Sequence, residues 1–478
     1  MTGATLQQGQ ADLPSTKSTT SYWHRDPSTK LLGYRTTKNL PPTADIVVVG
    51  SGITGAFATK ELLEAGGAGK KVILLEAREI CWGATGRNGG HCQPVTYNPS
   101  HSIADFELRN YAYLRDFIAA NAVPCDWVPL EGCHVLLTPD LVAKAAEAIA
   151  ALPAHLASAV RLVTDPAELW TLRIPDAAGA VVQAAAASVW PYKLVTWVFE
   201  ALVAEFEGGQ ETGLNVQTST PVTHLQRLED GWIVHTDRGQ ISTTQVLLAS
   251  NAYTSRLVPG FAGLIVPVRG QVAALLPPEP RADLGRSYVF MASSAGTKPN
   301  QDDYLIQRSA PGLELVLGGG RANGAGRGVG VSDDDEVDPV VARYLRRAGA
   351  RNLDLRAASG TGRSASSEGA QLEASYEWTG IMGFSRDGRP WVGEVPAGGE
   401  LGGGKGLWVC AGYTGHGMPQ AALCGRAVAR LMMGDGDDHG EKLPLDLPRE
   451  FLVGEERARR AKALPSIKQM DDLDMFLL

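Results

Sequence analysis

Apolar residues near the start of the chain fall into two kinds of run. Ile46-Val47-Val48-Val49 is short, β-branched and closed by Gly50, the pattern of a strand buried on both faces of a parallel sheet. Residues 53–65 predict a helix and Lys71-Val72-Ile73-Leu74-Leu75 a second buried strand, so a βαβ unit begins here. Helical periodicity in alanine-rich sequence predicts helices over 103–125 and 140–160, and an amphipathic helix over 194–206 behind Trp190-Pro191. Residues 221–248 read as strands. Trp232 to Thr236 alternates after the turn Asp230-Gly231, and Val246 to Ala249 is again buried. Half-buried alternation recurs over 264–276 and 304–318, whereas 324–370 is loop and helix rich in Gly, Ser and Asp. A last strand, Leu407 to Ala411, enters a glycine-rich turn, and a helix is expected from Pro419 to Met433. Residues 1–42, closed by Pro41-Pro42, read as an extended polar arm and 435–478 as a charged tail wrapped on the surface. No internal repeat is visible.

A chain of 478 residues exceeds what one core supports, so two or three domains are expected. With 44% hydrophobic and 20% charged residues it lies near globular averages, which excludes wholesale disorder. The net charge is −8 and no Lys/Arg cluster forms a nucleic-acid footprint. No apolar run reaches the ~18 residues of a membrane span, and the polar first twenty residues lack the apolar core of a signal peptide. Six cysteines without C-x-x-C spacing argue against zinc or a disulfide framework. No metal site is expected, and an intracellular, cytoplasmic location is. The excess of glycine, 55 residues, points to tight turns and close backbone approach.

Gly50-Ser51-Gly52-Ile53-Thr54-Gly55 fits G-x-G-x-x-G between the first strand and the first helix. The first glycine permits the turn, the second lets backbone approach a pyrophosphate, and the third lets helix pack on strand. The helix start offers free N–H groups to the anion. Glu76 ends the second strand, where an acid accepts ribose hydroxyls; Glu rather than Arg there disfavours a 2′-phosphate. The motif alone fits NAD or FAD.

The residues that follow separate them. Glu76-Ala77-Arg78 leads into Gly83-Ala84-Thr85-Gly86-Arg87-Asn88-Gly89-Gly90 and His91. Here the sequence resembles the D-amino-acid oxidase superfamily of FAD-dependent amine and amino-acid oxidoreductases. Within it the chain is most similar to γ-glutamylputrescine oxidase-like and related fungal proteins, whose arms also carry an aromatic signature like Ser21-Tyr22-Trp23. Further blocks follow in order: Thr220-Pro221-Val222, Ser250-Asn251 within 248–253, Pro267-Val268-Arg269-Gly270-Gln271, Asp303-Tyr304, Leu317 to Gly320, Gly383, and Gly412-Tyr413-Thr414-Gly415-His416-Gly417-Met418. The resemblance implies an α/β fold. A doubly wound FAD-binding domain with a parallel sheet would comprise 43–95, 186–262 and 371–434. An α+β substrate domain with a mixed or antiparallel sheet would comprise 96–185 and 263–370. It also implies that the loops quoted above hold FAD, with N–H groups near 412–418 facing charge that develops on the ring. Non-covalent FAD is expected, because tethers known in relatives match neither His91 nor Cys92.

Substrate chemistry is read from absences. Amino-acid oxidases of this resemblance carry a carboxylate-gripping Arg where Met382 stands, and sarcosine oxidase-like members a Lys where Pro419 stands. Neither residue forms a charge-assisted hydrogen bond, so free α-amino acids become poor candidates unless Arg87, Arg308 or Arg321 substitutes. Tyr253, Tyr304, Trp378, Phe384 and Tyr413 are aromatic candidates for the pocket. His416, Tyr304, Met382 and Trp378 are the residues expected beside the reacting atoms. The expected reaction is oxidation of a primary or secondary amine C–N bond to an imine, with oxygen as acceptor. No lysine aligns where sarcosine oxidase-like members assist oxygen; Gly312-Leu313-Glu314-Leu315 is there instead. The alternatives are a D-amino-acid or N-methyl-amino-acid oxidase or dehydrogenase, and a non-catalytic or redox-sensing flavoprotein, since fold and cofactor do not establish chemistry.

Overall fold

The computed structural model describes residues 6–65, 69–206, 213–293, 301–310, 312–355, 371–435 and 442–469. Their strands form two sheets. The first runs, in spatial order, Trp391–Glu394, Leu407–Ala411, Gly239–Leu248, Thr43–Val49, Lys71–Leu75 and Gly213–Gln217. The last five are mutually parallel, and Trp391–Glu394 closes one edge antiparallel. Val47, Val48, Leu74 and Leu75 have no exposed surface, as expected of strands covered on both faces. Thr43–Val49 pairs on one side with the strand that follows its helix and on the other with a strand from much later in the chain. Chain direction therefore splits at the carboxyl end of this strand, the place where open α/β sheets bind ligands.

Helix Ile53–Glu64 packs directly on helix Ala421–Met432. A side chain at Gly425 would put its Cβ 2.5 Å from the Thr54 carbonyl oxygen, so glycine sets this close approach. Glu61 then accepts from both Arg426 (2.6 Å) and Arg430 (2.5 Å) across the crossing.

The second sheet runs Ala374–Ser385, Ile265–Leu275, Leu315–Gly318, Gln301–Gln307, Arg286–Ala292, Val128–Leu136, Gly179–Ser188 and His91–Cys92. Its pairs are antiparallel except Arg286–Ala292 with Val128–Leu136, giving the mixed sheet that the family resemblance implied. Ala374–Ser385 pairs along its length with Ile265–Leu275. The boundary drawn at 371 therefore assigned this strand to the wrong sheet, as did the placing of His91 and Cys92. Periodicity marks a strand but does not say which sheet it joins.

The helix expected over 140–160 is Pro139–Ala150 plus the short turn Ala154–Ala157, and the final helix starts at Ala421, not Pro419. Gly179–Ser188, rich in alanine, is a strand because partners on both sides complete its ladder. Part of the loop-and-helix region, 356–370, lies outside the described residues.

The arm is more than an extended strap. Tyr22 and Trp23 are buried, with the Trp23 indole donating to the Asn88 carbonyl (2.6 Å) and the Trp190 indole to Trp23 (2.9 Å). The tail docks through helix Glu455–Ala463, where Arg457 pairs with Asp387 and stacks on Trp391. No helix among the described residues is long and apolar enough to cross a membrane.

Candidate cofactor and substrate site

The phosphate loop follows from its glycines. Gly50 has φ +109°, and a Cβ there would sit 2.6 Å from the Ala249 carbonyl. A Cβ on Gly55 would land on the Gly50 carbonyl oxygen, so the third glycine packs helix on strand as anticipated. Helix Ile53–Glu64 has no side-chain cap at Gly52. The Ile53 N–H meets the Thr85 hydroxyl (3.1 Å), and the other first-turn donors begin where a cavity opens. Glu76 also lines that cavity. It braces the loop by accepting from Ser51 N (3.0 Å) and the Ser51 hydroxyl (2.5 Å). An uncapped helix start, a glycine cradle and an acid at the second strand end suit a dinucleotide pyrophosphate and ribose.

One continuous cavity runs from this loop to the turn around His416. Of the residues expected to hold cofactor, Gly50, Gly52, Ile53, Thr54, Glu76, Ala77, Arg78, Gly83, Ala84, Thr85, Arg87, Asn88, Gly89, His91, Val222, Ser250, Asn251, Tyr413, Gly415, His416, Gly417 and Met418 line it. Gly55, Gly90, Gly383, Gly412 and Thr414 stand behind the wall and shape it. Gly412 donates to the Asn251 side chain (3.0 Å), Thr414 N to the Gly383 carbonyl (2.8 Å), and Gly90 packs on Trp23. Positive φ at Gly412 (+84°), Thr414 (+53°) and Gly415 (+78°) coils this turn tightly. The Tyr413 hydroxyl meets the Thr54 hydroxyl (2.9 Å), joining the turn to the phosphate helix.

Asp334 was not anticipated from sequence. It is fully buried and pairs with Arg78 (2.9 Å) and Arg87 (3.1 Å). Burial pulls the Arg87 guanidinium down to about 10, against the opposing pull of Asp334. Arg87 donates besides to the carbonyls of Thr19 and Thr379. The arm, the 83–90 segment and the second sheet thus meet at one buried charge cluster.

Across the cavity, Met382, Tyr304, Phe384, Arg321 and Pro419 line the wall. Trp378 does not, which corrects its assignment to the site. It shares the face of Met382 but lies four residues away, ~13 Å along a strand, where its indole donates to the Arg87 carbonyl (2.8 Å) and its ring faces Tyr22. Of the three arginines considered as carboxylate partners, Arg308 is occupied with Ser188, Val189 and Asp126, and Arg87 with the cluster above. Arg321 lies over the Phe384 ring (4.7 Å) on the cavity wall.

His416 donates from Nε2 to Glu107 (3.0 Å). Glu107, on helix His101–Ala120, is buried and also accepts from Val95 N and the Gln420 amide, both at 2.7 Å. With Nε2–H committed, Nδ1 is the ring nitrogen left to take a proton. Burial, reinforced by His416, pulls His91 down to about 4. Cys92 points away from the cavity, its thiol toward the Met418 carbonyl (3.6 Å), and burial pushes it up.

Residues 91–97 put every second side chain into the cavity: His91, Gln93, Val95 and Tyr97. Sequence reasoning missed Gln93, Tyr97, His134 and Glu107. The odd-numbered alternation in His91-Cys92-Gln93-Pro94-Val95-Thr96-Tyr97 was a signal for the first two.

These features define a flavoprotein-type site between a parallel nucleotide sheet and a mixed substrate sheet. Residues 45–431 match the family model for DAO, FAD dependent oxidoreductase, and the chain belongs to this family. FAD is accordingly its cofactor. Gamma-glutamylputrescine oxidoreductase of Escherichia coli K12 is 24% identical over 416 residues, covering 84% of this chain and 86% of that protein. The probable oxidoreductase OrdL of Haemophilus influenzae is 21% identical over 424 residues, covering 82% and 84%. The crystal structure of glycine oxidase from Geobacillus kaustophilus superposes with a TM-score of 0.64 at 20% identity, covering 83% of this chain and 96% of that one.

Proposed function

We propose that this FAD-dependent oxidoreductase oxidises the C–N bond of a primary or secondary amine to an imine, which water then converts to a carbonyl compound and ammonia or an amine, respectively. The observation that carries this reading is the wall opposite the phosphate loop. Met382 and Pro419 are apolar there, and burial holds His91 neutral near neutral pH. Neither Met382 nor Pro419 can pair with a carboxylate, and an unpaired carboxylate is costly in an apolar pocket; the guanidinium on this wall, Arg321, lies over the Phe384 ring. The name of the Escherichia coli relative, an oxidoreductase of gamma-glutamylputrescine, agrees with an amine substrate.

FAD, when bound, supplies the two-electron acceptor for the hydride leaving the substrate carbon. The chain supplies the rest. An amine arrives largely protonated at neutral pH, and its lone pair must be freed before the hydride departs. We assign the taking of that proton to His416 Nδ1; the hydrogen bond by which Glu107 holds Nε2–H and fixes the ring supports this role. Tyr304 packs against Gly89 and Gly318, spanning the gap between the cofactor loop and the substrate sheet. In the 412–418 turn, Gly412 and Tyr413 spend their N–H groups on the Asn251 side chain, Thr414 on the Gly383 carbonyl and His416 on the Tyr413 carbonyl, so those four groups shape the far end of the cavity instead of donating into it. We take FAD to be held without a covalent bond.

Oxygen is the acceptor in this reading, and hydrogen peroxide formed in step with amine consumed is the check. Bleaching of bound FAD by a panel of amines without oxygen tests the reaction itself. His416→Asn should slow bleaching at least tenfold and flatten its pH dependence. An unchanged pH profile would remove His416 as the base. A second reading, amino-acid oxidation, rests on Arg321, the guanidinium above Phe384 on the wall.

A further inference from the structure

The cavity continues past the reacting residues onto the second sheet, and its polar groups there are not used by the chemistry above. Gln93 is 3% exposed and lines the cavity, yet among the described residues neither its Oε1 nor its Nε2 has a hydrogen-bond partner. Burying an amide with both ends unmet is costly, and such groups in native proteins call for an explanation. The amide lies over Gly132, where a Cβ would approach Nε2 to 2.7 Å. Glycine in the middle of strand Val128–Leu136 therefore makes room for it.

Beside it, hydrogen-bond direction is fixed by one backbone donor. Thr96 N–H donates to Gln183 Oε1 (2.7 Å), so Gln183 presents Nε2–H to His134 Nε2 (3.3 Å). His134 must then carry its proton on Nδ1, which faces the Tyr97 hydroxyl (2.7 Å). Burial pulls the His134 imidazole down to about 3, so the ring is neutral and the direction holds. Tyr97 accepts from His134, leaving its own O–H proton free on the cavity wall. Among the described residues this part of the wall thus offers the Gln93 amide as acceptor and donor and one hydroxyl donor; of the nearby histidines, His91 and His134 are neutral and His416 is paired with Glu107.

We propose that Gln93 forms a distal subsite for a neutral carboxamide group on the substrate, with Tyr97 supplying a further donor on the same wall. An amide satisfies both ends of Gln93 in a paired, two-bond contact, its carbonyl taking Nε2–H and its N–H reaching Oε1. A carboxylate would satisfy the donors but set negative charge against Gln93 Oε1, with His416 already paired to Glu107, and an ammonium would meet the Nε2–H donors unfavourably. This inference rests on the reading of the cavity as the substrate site of an amine oxidoreductase.

The test is calorimetric titration of the FAD-loaded protein with valeramide, valerate and pentylammonium, which measures binding without turnover. Valeramide should bind at least tenfold more tightly than valerate. Gln93→Leu should lose that preference while keeping full FAD content and a melting temperature no lower than that of wild type. Gln93→Glu, of equal size, should shift preference toward pentylammonium. Valerate binding as well as valeramide, no binding of any of the three, or an unchanged preference in Gln93→Leu would each overturn the subsite. A loss of FAD from Gln93→Leu would also overturn it, by assigning Gln93 to the cofactor. Failure of amines to bleach the flavin would overturn the reaction instead, so the two ideas fail separately.

Discussion

Asp334→Asn is the sharpest structural perturbation that the site offers. Asp334 has no exposed surface and is the carboxylate shared by Arg78 and Arg87, whose side chains are 7% and 0% exposed. Asparagine keeps the shape but turns an N–H donor toward one guanidinium and removes the negative charge that both share. Breaking a buried pair by removing one partner costs about 3–5 kcal/mol. At roughly 2–4 °C per kcal/mol for large domains, the melting temperature should fall by at least about 5 °C. FAD should bind more weakly, because Arg78, Arg87 and the 83–90 segment line its cavity. The assay is thermal release of flavin fluorescence alongside a titration of apoprotein with FAD. The double variant Arg87→Met/Asp334→Asn should be less destabilised than the sum of the single variants by about 1 kcal/mol or more. A melting temperature within 2 °C of wild type, or strict additivity, would refute the argument from buried charge.

Other expectations are simpler to check. Gly52→Val would bring its Cβ within about 3.1 Å of the Thr85 hydroxyl and its methyls into the path of a pyrophosphate. The purified variant should be colourless, and full FAD content would contradict the cofactor placement. Acid precipitation of wild type should leave a colourless pellet and a yellow supernatant, and flavin retained in the pellet would implicate His91. Burial first, with nearby Arg87, holds His24 at about 3, and His134 is held there too. Both are neutral when folded and protonate near 6.5 when unfolded, so their stability contribution is complete above pH 6.5 and is lost as pH falls toward 3. From pH 7 to 5.5 the two together should remove about 2 kcal/mol; a melting temperature flat over that interval would contradict their burial as neutral rings.

The nucleotide half was legible because its signals are local. A β-branched run, three spaced glycines and an acid at the next strand end all lie within 46–76, and each is forced by backbone geometry. The second sheet was harder. Gly179–Ser188 contains four consecutive alanines, which favour helix by propensity, and only pairing with strands distant in sequence makes it extended. Met382 lines the cavity and Trp378 does not. Strand alternation puts both on one face and does not say where the cavity ends. Glu107 and Asp334 are carboxylates in ordinary polar contexts, and their roles arise from partners 309 and 256 positions away. No local pattern encodes such contacts.

Substrate charge is the central claim, and a single matched pair tests it. Rapid-mixing reduction of the FAD-loaded protein without oxygen should be measured with pentylamine and with both enantiomers of norleucine, its α-carboxylated counterpart. A charge-assisted hydrogen bond contributes roughly 1.5–3 kcal/mol, or about one to two decades in rate at 1.36 kcal/mol each. With Met382 and Pro419 on the wall, pentylamine should therefore reduce the flavin at least tenfold faster than either enantiomer. Faster reduction by norleucine, abolished by Arg321→Met, would contradict this account and place the carboxylate on Arg321.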